Sequence, residues 1–335
     1  MNKNSNRCPI VVDAMGGDFA PEEIVKGAAC ASVNLGLKII LVGNQKKIKE
    51  AAEISGSSLE GIDVVSSTQE VKMDDHPSEV IKNKKQSSVY IGTQILAENK
   101  CGAFLSAGNT GAVMACSLFN IKRIEGILRP AIAIVVPLAE KKVVLIDAGA
   151  NVDCKPRYLK QFAIMGKVYS ENIIGVSNPS VGLINVGTEE KKGNKMAVEA
   201  FQMLKNLNIN FIGNIEGRDI FNGKADVVVC DGFVGNVLLK SIEGIVNLFF
   251  SEIKGVLTHS FLTKLSALGL KKSFLNMKKK FDYEEYGGAQ LLGVNGIVII
   301  SHGSSKSKAI FNAAKVAQDG VRTNLVEKIK NEVKD

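Results

Sequence analysis

The sequence predicts an α/β fold in which a mostly parallel sheet is the middle layer of a three-layer α/β/α sandwich. Strand-like apolar runs alternate with helical patterns along almost all of the 335 residues, as in other folds of this class. The strand-like runs are continuously apolar, which is typical of strands covered on both faces. Six of these runs end in a short glycine-containing polar tract, and we expect the six tracts to meet at one edge of the sheet.

The individual elements are predicted from their apolar pattern and the turn residues around them. Nine runs are predicted to be strands: Ile10–Asp13, Lys38–Val42, Ala103–Ser106, Ile132–Pro137, Val143–Asp147, Val181–Val186, Asn210–Gly213, Ala225–Cys230 and Gly296–Ser301. Six helices are predicted between them: Pro21–Leu35, Lys46–Ile54, Pro77–Asn99, Cys154–Ser170, Gly193–Leu207 and Lys306–Val316. No linker-like tract interrupts the alternation, so residues 1–335 are expected to form a single α/β domain.

One segment, residues 237–285, departs from the alternation. It contains no strand pattern, and its apolar residues recur at helical spacing, which predicts a projecting helical hairpin inserted in the α/β domain. A hairpin packed on its own core would give the same pattern. We favour a dimerisation arm with a tip that contacts a membrane surface, because leucine, phenylalanine and lysine are mixed there.

Composition places the chain among soluble globular proteins, with 45% hydrophobic and 23% charged residues. Its continuous apolar runs are too short to span a bilayer, and its polar start lacks a signal core, so we expect a cytoplasmic protein. The six cysteines are scattered without metal-binding spacing, which predicts free thiols and no metal site. The net charge of +8 suits an acidic partner or a lysine-rich, well-solvated surface; nucleic acid is not expected, because no binding motif is present.

Several familiar reaction signatures are absent from the sequence. It has no G-x-S-x-G elbow, no H-E-x-x-H motif, no Walker loop and no G-x-G-x-x-G fingerprint after the first strand. With only three histidines, a histidine-dependent triad has few candidates. We therefore expect no nucleotide, nicotinamide or metal cofactor.

What remains is a set of backbone N–H donors, amide side chains and lysines at strand ends. Loops that open onto helix N-termini bind small oxyanions through N–H groups and the helix dipole. Ser106–Gly111 and Ser301–Ser305 are the best examples, since each follows a strand and precedes a helical pattern. Each loop alone is equally well explained as a capped strand-to-helix turn.

Taken together, the motifs resemble those of the PlsX-type phosphate acyltransferases of bacterial phospholipid synthesis. The resemblance covers nearly the whole chain, in order, through Asp13-Ala-Met-Gly-Gly-Asp18, Ser87-Ser88, Ser106-Ala-Gly-Asn-Thr-Gly-Ala112, Asp147-Ala-Gly-Ala-Asn151, Lys192-Gly-Asn194, Gly213-Asn-Ile-Glu-Gly217, Asp231-Gly-Phe-Val-Gly-Asn236 and Tyr286-Gly-Gly-Ala-Gln-Leu-Leu-Gly-Val294. It implies transfer of a fatty acyl group from acyl carrier protein to inorganic phosphate. It also implies the fold of the isocitrate/isopropylmalate dehydrogenase and phosphotransacetylase group, usually as a homodimer.

This reaction needs positioning of an anion and stabilisation of an oxyanion, for which N–H groups, amides and lysines suffice. The residues expected to act on substrate are Asn109, Thr110, Lys192, Asn194, Asn236 and His302, the last as a donor to the leaving thiolate or as a loop histidine satisfied by backbone. The expected phosphate-binding residues are Gly108, Gly111, Ser304 and Ser305. Residues expected to orient the loops are Asp13, Gly16, Gly17, Asp18, Asp147, Asn151, Glu216 and Asp231.

The helical arm is expected to contact the acidic carrier protein or a lipid surface. The residues assigned to this contact are Lys254, Phe261, Leu262, Lys264, Leu265, Leu268, Lys271 and Lys272. Three other functions stay open on the sequence: a phosphotransacetylase acting on coenzyme A thioesters, a dehydrogenase on the related fold, and a non-catalytic scaffold that recruits carrier protein. The set of polar strand ends argues against a scaffold, and the missing dinucleotide fingerprint argues against a dehydrogenase.

Overall fold

The computed structural model describes residues 8–138, 140–260, 269, 272–274, 276–277, 279–281 and 283–334. Two of the residues assigned to carrier or membrane contact, Lys254 and Lys272, are among them. The other six lie outside the described residues: Phe261, Leu262, Lys264, Leu265, Leu268 and Lys271.

Within the described residues, eleven strands form one sheet in the order β3-β2-β1-β4-β11-β10-β5-β6-β9-β7-β8. The strands are β1 Ile10–Asp13, β2 Ile39–Gly43, β3 Ile62–Ser66, β4 Ala103–Ser106, β5 Ala131–Pro137, β6 Lys142–Ile146, β7 Val181–Ile184, β8 Phe211–Ile215, β9 Val227–Val229, β10 Ala289–Leu292 and β11 Ile297–Ile300. The antiparallel pairs of this sheet are β5–β6, β5–β10 and β10–β11, and its other neighbours are parallel. The prediction of a mostly parallel sheet is confirmed.

Helices connect the strands. They are α1 Glu22–Leu35, α2 Gln45–Ser55, α3 Pro77–Asn83, α4 Ser88–Ala97, α5 Thr110–Cys116, α6 Pro156–Tyr169, α7 Lys195–Lys205, α8 Gly217–Phe221, α9 Gly232–Thr258, α10 Ser307–Arg322 and α11 Leu325–Lys334. Short π-helical turns continue α5 through Ser117–Ile121 and α6 through Ser170–Ile174, and a 3₁₀ turn spans Tyr283–Tyr286.

Both faces of the sheet are covered, as the continuously apolar strands predict. In β1, Ile10 and Val12 pack into the core under α1, α6, α7 and α10, whereas Val11 packs into the core under α4 and α5. A third cluster, around Leu145 and Val228, lies under α8 and part of α9. Successive residues of a strand point to opposite faces, so a strand with every residue apolar requires two covering layers. The three-layer α/β/α architecture is thereby confirmed.

Several predicted elements differ from the structure. Strands β3 and β10 were not predicted, because Asp63 interrupts the short edge strand and because β10 is a four-residue strand directly after Gly287–Gly288. The single predicted helix Pro77–Asn99 is two helices separated at residues 84–87, where Ser87 pairs with Gln69 in an isolated bridge. Helix α11 was also not predicted.

The strand directions place the six glycine-containing tracts at two edges of the sheet. Three of them follow the adjacent strands β1, β4 and β11, which run parallel. The other three follow β6, β9 and β7, which are parallel to one another. Three antiparallel pairs, β11–β10, β10–β5 and β5–β6, lie between the two groups, so the strands of the second group run opposite to those of the first. The expectation that all six tracts meet at one edge is therefore wrong; we call the two groups of carboxyl ends the β1 edge and the β6 edge.

Helix α9 has 27 residues, and the side chains with which it packs on the core, Leu238, Leu239 and Ile242, lie in its first half. Its buried residues are Gly232 and Gly235, in its first turn. Large apolar side chains on another side of the same helix are exposed: Val237, Ile245, Leu248, Phe249 and Val256. By length and composition α9 is the one helix in the described residues that passes a test for crossing a membrane, with 6% of its apolar window buried. One such helix is weak evidence of a membrane span, because the core helix of a soluble protein has the same length and composition.

Candidate functional site at two edges of the sheet

Three loops are in mutual contact at the β1 edge. The amide of Asp18 donates to the Gly303 carbonyl at 2.8 Å, which joins the loop after β1 to the loop after β11. A Cβ on Gly16 would lie 2.8 Å from the amide nitrogen of Gly108, so the loops after β1 and β4 meet backbone to backbone. Gly17, with φ +112°, turns the chain beside Gly303. The structure thus joins the three sequence-predicted tracts of this edge.

Asp13, the last residue of β1, connects β1 to the end of β4 through hydrogen bonds. Its carboxyl is 3% exposed and accepts from the Ser106 hydroxyl at 2.7 Å and from the Met15 amide at 3.1 Å. Burial raises the pKa of Asp13, against the lowering effect of hydrogen bonds from Ser88 and Ser106. These contacts agree with a carboxyl that orients loops.

Both polar groups of the Asn109 side chain make hydrogen bonds within the protein. Its Oδ1 caps α5 by accepting from the Ala112 amide at 3.0 Å. Its Nδ2 faces three carbonyl oxygens of the preceding loop, those of Lys72 at 3.3 Å, Met73 at 2.9 Å and Asp75 at 3.0 Å. An amide nitrogen has two hydrogens, so no donor remains for phosphate. This geometry does not support the expected role of the Asn109 side chain in binding substrate.

His302 lies at the outer surface of the β1 edge. Its Nδ1 accepts from the Ser304 amide at 3.2 Å and is 2.8 Å from the Ser304 hydroxyl. Its Nε2 is 3.5 Å from Nζ of Lys240, on the third turn of α9. Lys240 was not predicted as a site residue. Its position in the sequence, one helical turn after Asn236, is the feature that could have indicated it. The hydroxyl of Ser305 is buried, whereas Thr110 is exposed at the start of α5.

At the β6 edge, Asp147 organises the loop that follows β6. Its carboxyl accepts from the amides of Ile132, Ala150 and Asn151 at 3.1, 2.8 and 2.8 Å. The Asn151 side chain adds a fourth bond at 2.8 Å and also donates to the Pro130 carbonyl at 2.7 Å. Burial raises the pKa of Asp147, against these hydrogen bonds. Asp147 and Asn151 thus bind the backbone of this loop, and their orienting role in the site stays a prediction.

The first turn of α9 rests directly on this loop. Asp231 caps the helix through the Val234 amide at 2.9 Å, and the Gly232 amide donates to the Asn151 carbonyl at 2.7 Å. A Cβ on Gly235 would lie 2.0 Å from the Asp147 carbonyl oxygen. Asn236 follows and lies against Gly149. The close backbone approach, which only glycine permits, fixes where the Asn236 side chain is presented.

Lys192 and Asn194 lie in the loop after β7, which is the neighbour of β9 in the sheet. The Asn185 side chain donates to the Lys192 carbonyl at 2.9 Å, and Asn194 caps α7 through the Ala197 amide at 2.9 Å. Asn214, at the end of β8, fixes the same loop through the Glu189 carbonyl at 2.8 Å. Asn185 and Asn214 were not predicted as site residues, although both lie within motifs that the sequence singles out.

Glu216 is placed at the outer end of the β6 edge, where β8 leads into α8. It forms a capping box with Asp219 and an ion pair with Arg218 at 2.8 Å. It therefore shapes a turn, in agreement with the loop-orienting role expected for it. Among the described residues of this edge, the ammonium of Lys192 has no carboxylate within ion-pairing distance, and the Asn236 amide makes no hydrogen bond to protein. These two groups therefore remain available as donors to a substrate.

Thiol nucleophiles and metal ligands do not enter this site. Burial raises the pKa of Cys101, Cys116 and Cys154 to about 12, and that of Cys230 well above its ordinary value. Thiols with such pKa values stay protonated and weakly nucleophilic at neutral pH. In the part of the chain that the structure describes, no group of three His, Cys, Asp or Glu side chains is placed to hold a metal ion.

Comparison with solved structures supports the fold. Over 94% of both chains, this protein superposes on a phosphotransacetylase from Streptococcus pyogenes with a TM-score of 0.65 and 16% identity. The EutD phosphotransacetylase from Staphylococcus aureus gives a TM-score of 0.63 and 16% identity, over 95% of this chain and 96% of the other. At such identities the similarity establishes the fold alone, and it confirms the fold that the resemblance implies.

Sequence comparison establishes the family. The family model described as fatty acid synthesis protein matches residues 8–328. A phosphate acyltransferase from Desulfitobacterium hafniense is 49% identical over 97% of both chains, and one from Desulforamulus reducens is 48% identical over the same shares. A third, from Halothermothrix orenii, is 49% identical over 97% of this chain and 98% of its own. The chain therefore belongs to the phosphate acyltransferase family of fatty acid synthesis proteins.

Proposed function

We propose that this phosphate acyltransferase takes a fatty acyl group from the thioester of acyl carrier protein and transfers it to inorganic phosphate. The observation that carries the proposal is the 48–49% identity to phosphate acyltransferases over 97% of the chain. The products are an acyl phosphate for phospholipid synthesis and the free carrier thiol. The net charge of +8 supports an acidic carrier as the acyl donor.

The chemistry requires no enzyme nucleophile. A phosphate oxygen attacks the thioester carbonyl, a C–O bond forms, and the tetrahedral oxyanion collapses with cleavage of the C–S bond. The sulfur leaves readily as a thiolate, since the pKa of a thiol is about 8.5. The enzyme then has to position the phosphate and stabilise the oxyanion with preorganised donors. Cys154 and Cys230 contact the loop after β6, and burial raises the pKa of both thiols, so neither is an activated thiolate.

We place the attack at the β6 edge, where uncommitted donors face outward. Lys192 supplies positive charge to phosphate, and Asn236 donates to the oxyanion from the first turns of α9. Asn194 lies on the loop that carries Lys192. The carboxylates of Asp147, Asp231 and Glu216 remain in orienting roles, because a carboxylate repels phosphate.

Residues of the β1 edge take part in the proposed site through α9, one helical turn beyond Asn236. Asn236 and Lys240 are four residues apart on α9, hence about one helical turn, and Lys240 reaches His302. In this proposal the sulfur leaves as a thiolate near the Lys240 ammonium and His302, and it takes its proton from solvent, because the Nδ1 of His302 already accepts from the Ser304 amide. Thr110, Gly111 and Ser304 provide donors to the acyl donor beside it, while Asp18, Gly16 and Gly17 shape the loop. The Gly108 and Ser305 amides already donate to the Ser106 hydroxyl and the His302 carbonyl, so these two residues take part only by shaping the loops.

The test is formation of acyl phosphate from acyl carrier thioester and phosphate by purified protein. Lys192→Ala and Asn236→Ala are each expected to lower kcat/KM by about a hundredfold, the usual effect of losing one preorganised donor. Lys195→Ala and Asn247→Ala are the matched controls, because both residues are exposed and lie in the same loop-helix unit or the same helix. Normal activity in folded Lys192→Ala and Asn236→Ala proteins would refute this site.

A second candidate function is phosphotransacetylase activity on coenzyme A thioesters, favoured by the fold shared with the two phosphotransacetylases. The same assay with acyl-coenzyme A in place of the carrier thioester separates the two donors. We expect a higher kcat/KM with the carrier. The reverse order would make coenzyme A the donor and leave the phosphate acceptor unchanged.

We further propose that α9 pairs with its copy in a homodimer. The exposed apolar side chains Ile245, Leu248 and Phe249 support this, because a monomeric protein rarely leaves such a patch open to water. Inside the arm, Phe250 already packs edge to face against Phe274 at 5.6 Å. Leu248→Glu is expected to give a monomer in analytical ultracentrifugation. Glu252→Gln, on an exposed polar position of the helix, is the control.

The tip of the arm is proposed to dock the acyl carrier protein through lysines, with contact to a lipid surface as the alternative. Lys254 and Lys272 are exposed and suit an acidic partner. Charge reversal at both is expected to raise KM for the carrier thioester and to weaken its salt dependence. An unchanged KM, together with loss of vesicle binding, would favour the lipid surface and reject the docking proposal.

A further inference from the structure

Two of the six arginines of this chain line one cavity that the proposed reaction does not use, and a third arginine lies against a ring in its wall. The cavity has a volume of about 350 Å³, and its lining includes Arg123, Arg129 and the buried ring of Tyr158. Arg157 lies on the same ring, with its Cζ 5.7 Å from the ring centre; the corresponding distance for Arg129 is 5.9 Å. The chain has 42 basic residues, most of them lysines, so this concentration of guanidinium groups is distinctive.

The three guanidinium groups carry uncompensated positive charge. Among the described residues, the arginines that pair with carboxylates are Arg218 and Arg322, which lie elsewhere. This positive charge also acts on the hydroxyl of Tyr158. Hydrogen bonding to Arg129 lowers the pKa of that hydroxyl, with smaller contributions from Arg157 and Lys155. Guanidinium groups bind phosphate oxygens in a planar, bidentate geometry that lysine does not offer.

The backbone around the cavity is preorganised. Gln161 of α6 accepts from the Leu128 amide and donates to the Gly126 carbonyl, both at 2.8 Å. Arg123 donates to the Leu128 carbonyl across the same turn. The helix α6 begins at Pro156 with no side-chain cap and no acidic residue in its first turn, and Tyr158 of that turn lies in the cavity wall.

The cavity also borders the β6 edge. Pro130, in its wall, accepts the hydrogen bond from Asn151 that fixes the loop after β6. Asn151 in turn contacts the first turn of α9, which presents Asn236. A ligand in the cavity is therefore joined to the proposed attack site through two directly hydrogen-bonded segments.

We infer that this cavity binds a phosphate group of a substrate through Arg123, Arg129 and Arg157. Two sources share this chemistry: the inorganic phosphate that is acylated, and the phosphate ester that links the prosthetic arm to the acyl donor. The inference rests on the proposed function for its choice of substrates. Binding of phosphate to the cavity can nevertheless be measured without turnover.

The experiment measures binding of inorganic phosphate and of 4′-phosphopantetheine to the purified full-length protein by calorimetry, alongside KM values. The variants are Arg129→Ala and Arg157→Ala, with Arg129→Lys to keep the charge and Arg218→Ala as a control for a paired, exposed arginine. Loss of one bidentate contact is expected to weaken binding of one probe by about tenfold or more, which corresponds to about 1.4 kcal/mol. Circular dichroism and thermal unfolding establish that each variant is folded.

Each outcome decides the inference. Weaker phosphate binding with a raised KM for phosphate supports the acceptor as the ligand. Weaker phosphopantetheine binding with a raised KM for the acyl donor alone supports the phosphate ester. Unchanged binding of both probes in folded Arg129→Ala and Arg157→Ala proteins overturns the inference, even if docking of the whole carrier protein is weakened. If the wild-type protein binds phosphate in this cavity but forms no acyl phosphate, the proposed function fails and the cavity assignment stands.

Discussion

Replacing Gly235 by alanine is the sharpest structural test of how α9 is positioned on the sheet. The added Cβ would lie 2.0 Å from the carbonyl oxygen of Asp147 and 2.8 Å from Sγ of Cys230. Ordinary van der Waals contact begins at 3.4 Å, so the first separation has to grow by 1.4 Å. The near atom belongs to the backbone of a buried loop, and the helix is expected to move instead of the loop.

Two effects follow from that shift. Overpacking of this size costs about 1–3 kcal/mol of the free energy of unfolding. Displacement of a catalytic group by about 1 Å costs about a hundredfold in rate, and Asn236 is the next residue along the helix. We expect a lower kcat for acyl phosphate formation at a protein concentration and temperature where the variant is fully folded.

The matched control is Gly244→Ala, in the same helix. A Cβ at Gly244 meets nothing within 4 Å, and alanine is favoured over glycine in a helix by about 0.5–1 kcal/mol. Thermal unfolding and steady-state kinetics of both variants are the assays. A Gly235→Ala protein as stable and as active as the Gly244→Ala protein would refute the argument that close backbone packing of α9 sets the position of Asn236.

Three further predictions follow from side-chain contacts. Asn109→Ala is expected to lose about 1 kcal/mol of stability through the lost helix cap, and to be cleaved faster by proteases in the loop around residue 73. Its kcat is expected to fall less than that of Asn236→Ala, and the opposite ranking would return Asn109 to the catalytic site. A thiol reagent is expected to modify Cys8 and Cys30 rapidly and the other cysteines slowly, without loss of activity; loss of activity on fast modification would contradict catalysis without a thiol. Spectroscopic titration is expected to show Tyr158 ionising below the ordinary tyrosine pKa of 10, because the guanidinium of Arg129 favours the tyrosinate. Arg129→Ala should raise that pKa. An unchanged titration in this variant would contradict the contact between Arg129 and Tyr158.

Much of the fold is present in the pattern of the sequence. The apolar runs of β1, β4, β9 and β11 are predicted within two residues at each end, since strands buried on both faces leave a continuous signal. The break between α3 and α4 was missed because the helical pattern continues through it, although Ser87 pairs with Gln69 across a loop. Such long-range pairing leaves no local signal.

The sequence indicates candidate site residues, which stay predictions, but it does not indicate how the strand ends that carry them are arranged. The connection between β5 and β6 covers residues 138–141, whereas parallel strands need a crossover of a dozen or more residues. That short connection is a signal of an antiparallel pair, and it reverses the ends of β6, β7, β8 and β9 relative to that of β1. The strand β10, which takes part in the second reversal, was missed altogether. The amide of Asn109 was assigned to phosphate because sequence cannot show that three carbonyl groups already occupy it.

The central claim is that phosphate itself attacks the thioester, with no acyl-enzyme intermediate. The most direct measurement is rapid mixing of excess enzyme with acyl carrier thioester, with and without phosphate, while free carrier thiol and acyl phosphate are followed. If phosphate attacks directly, no thiol is released without phosphate, and equal amounts of thiol and acyl phosphate form once phosphate is added. Stoichiometric thiol release in the absence of phosphate, with the acyl group held on the protein, would contradict it.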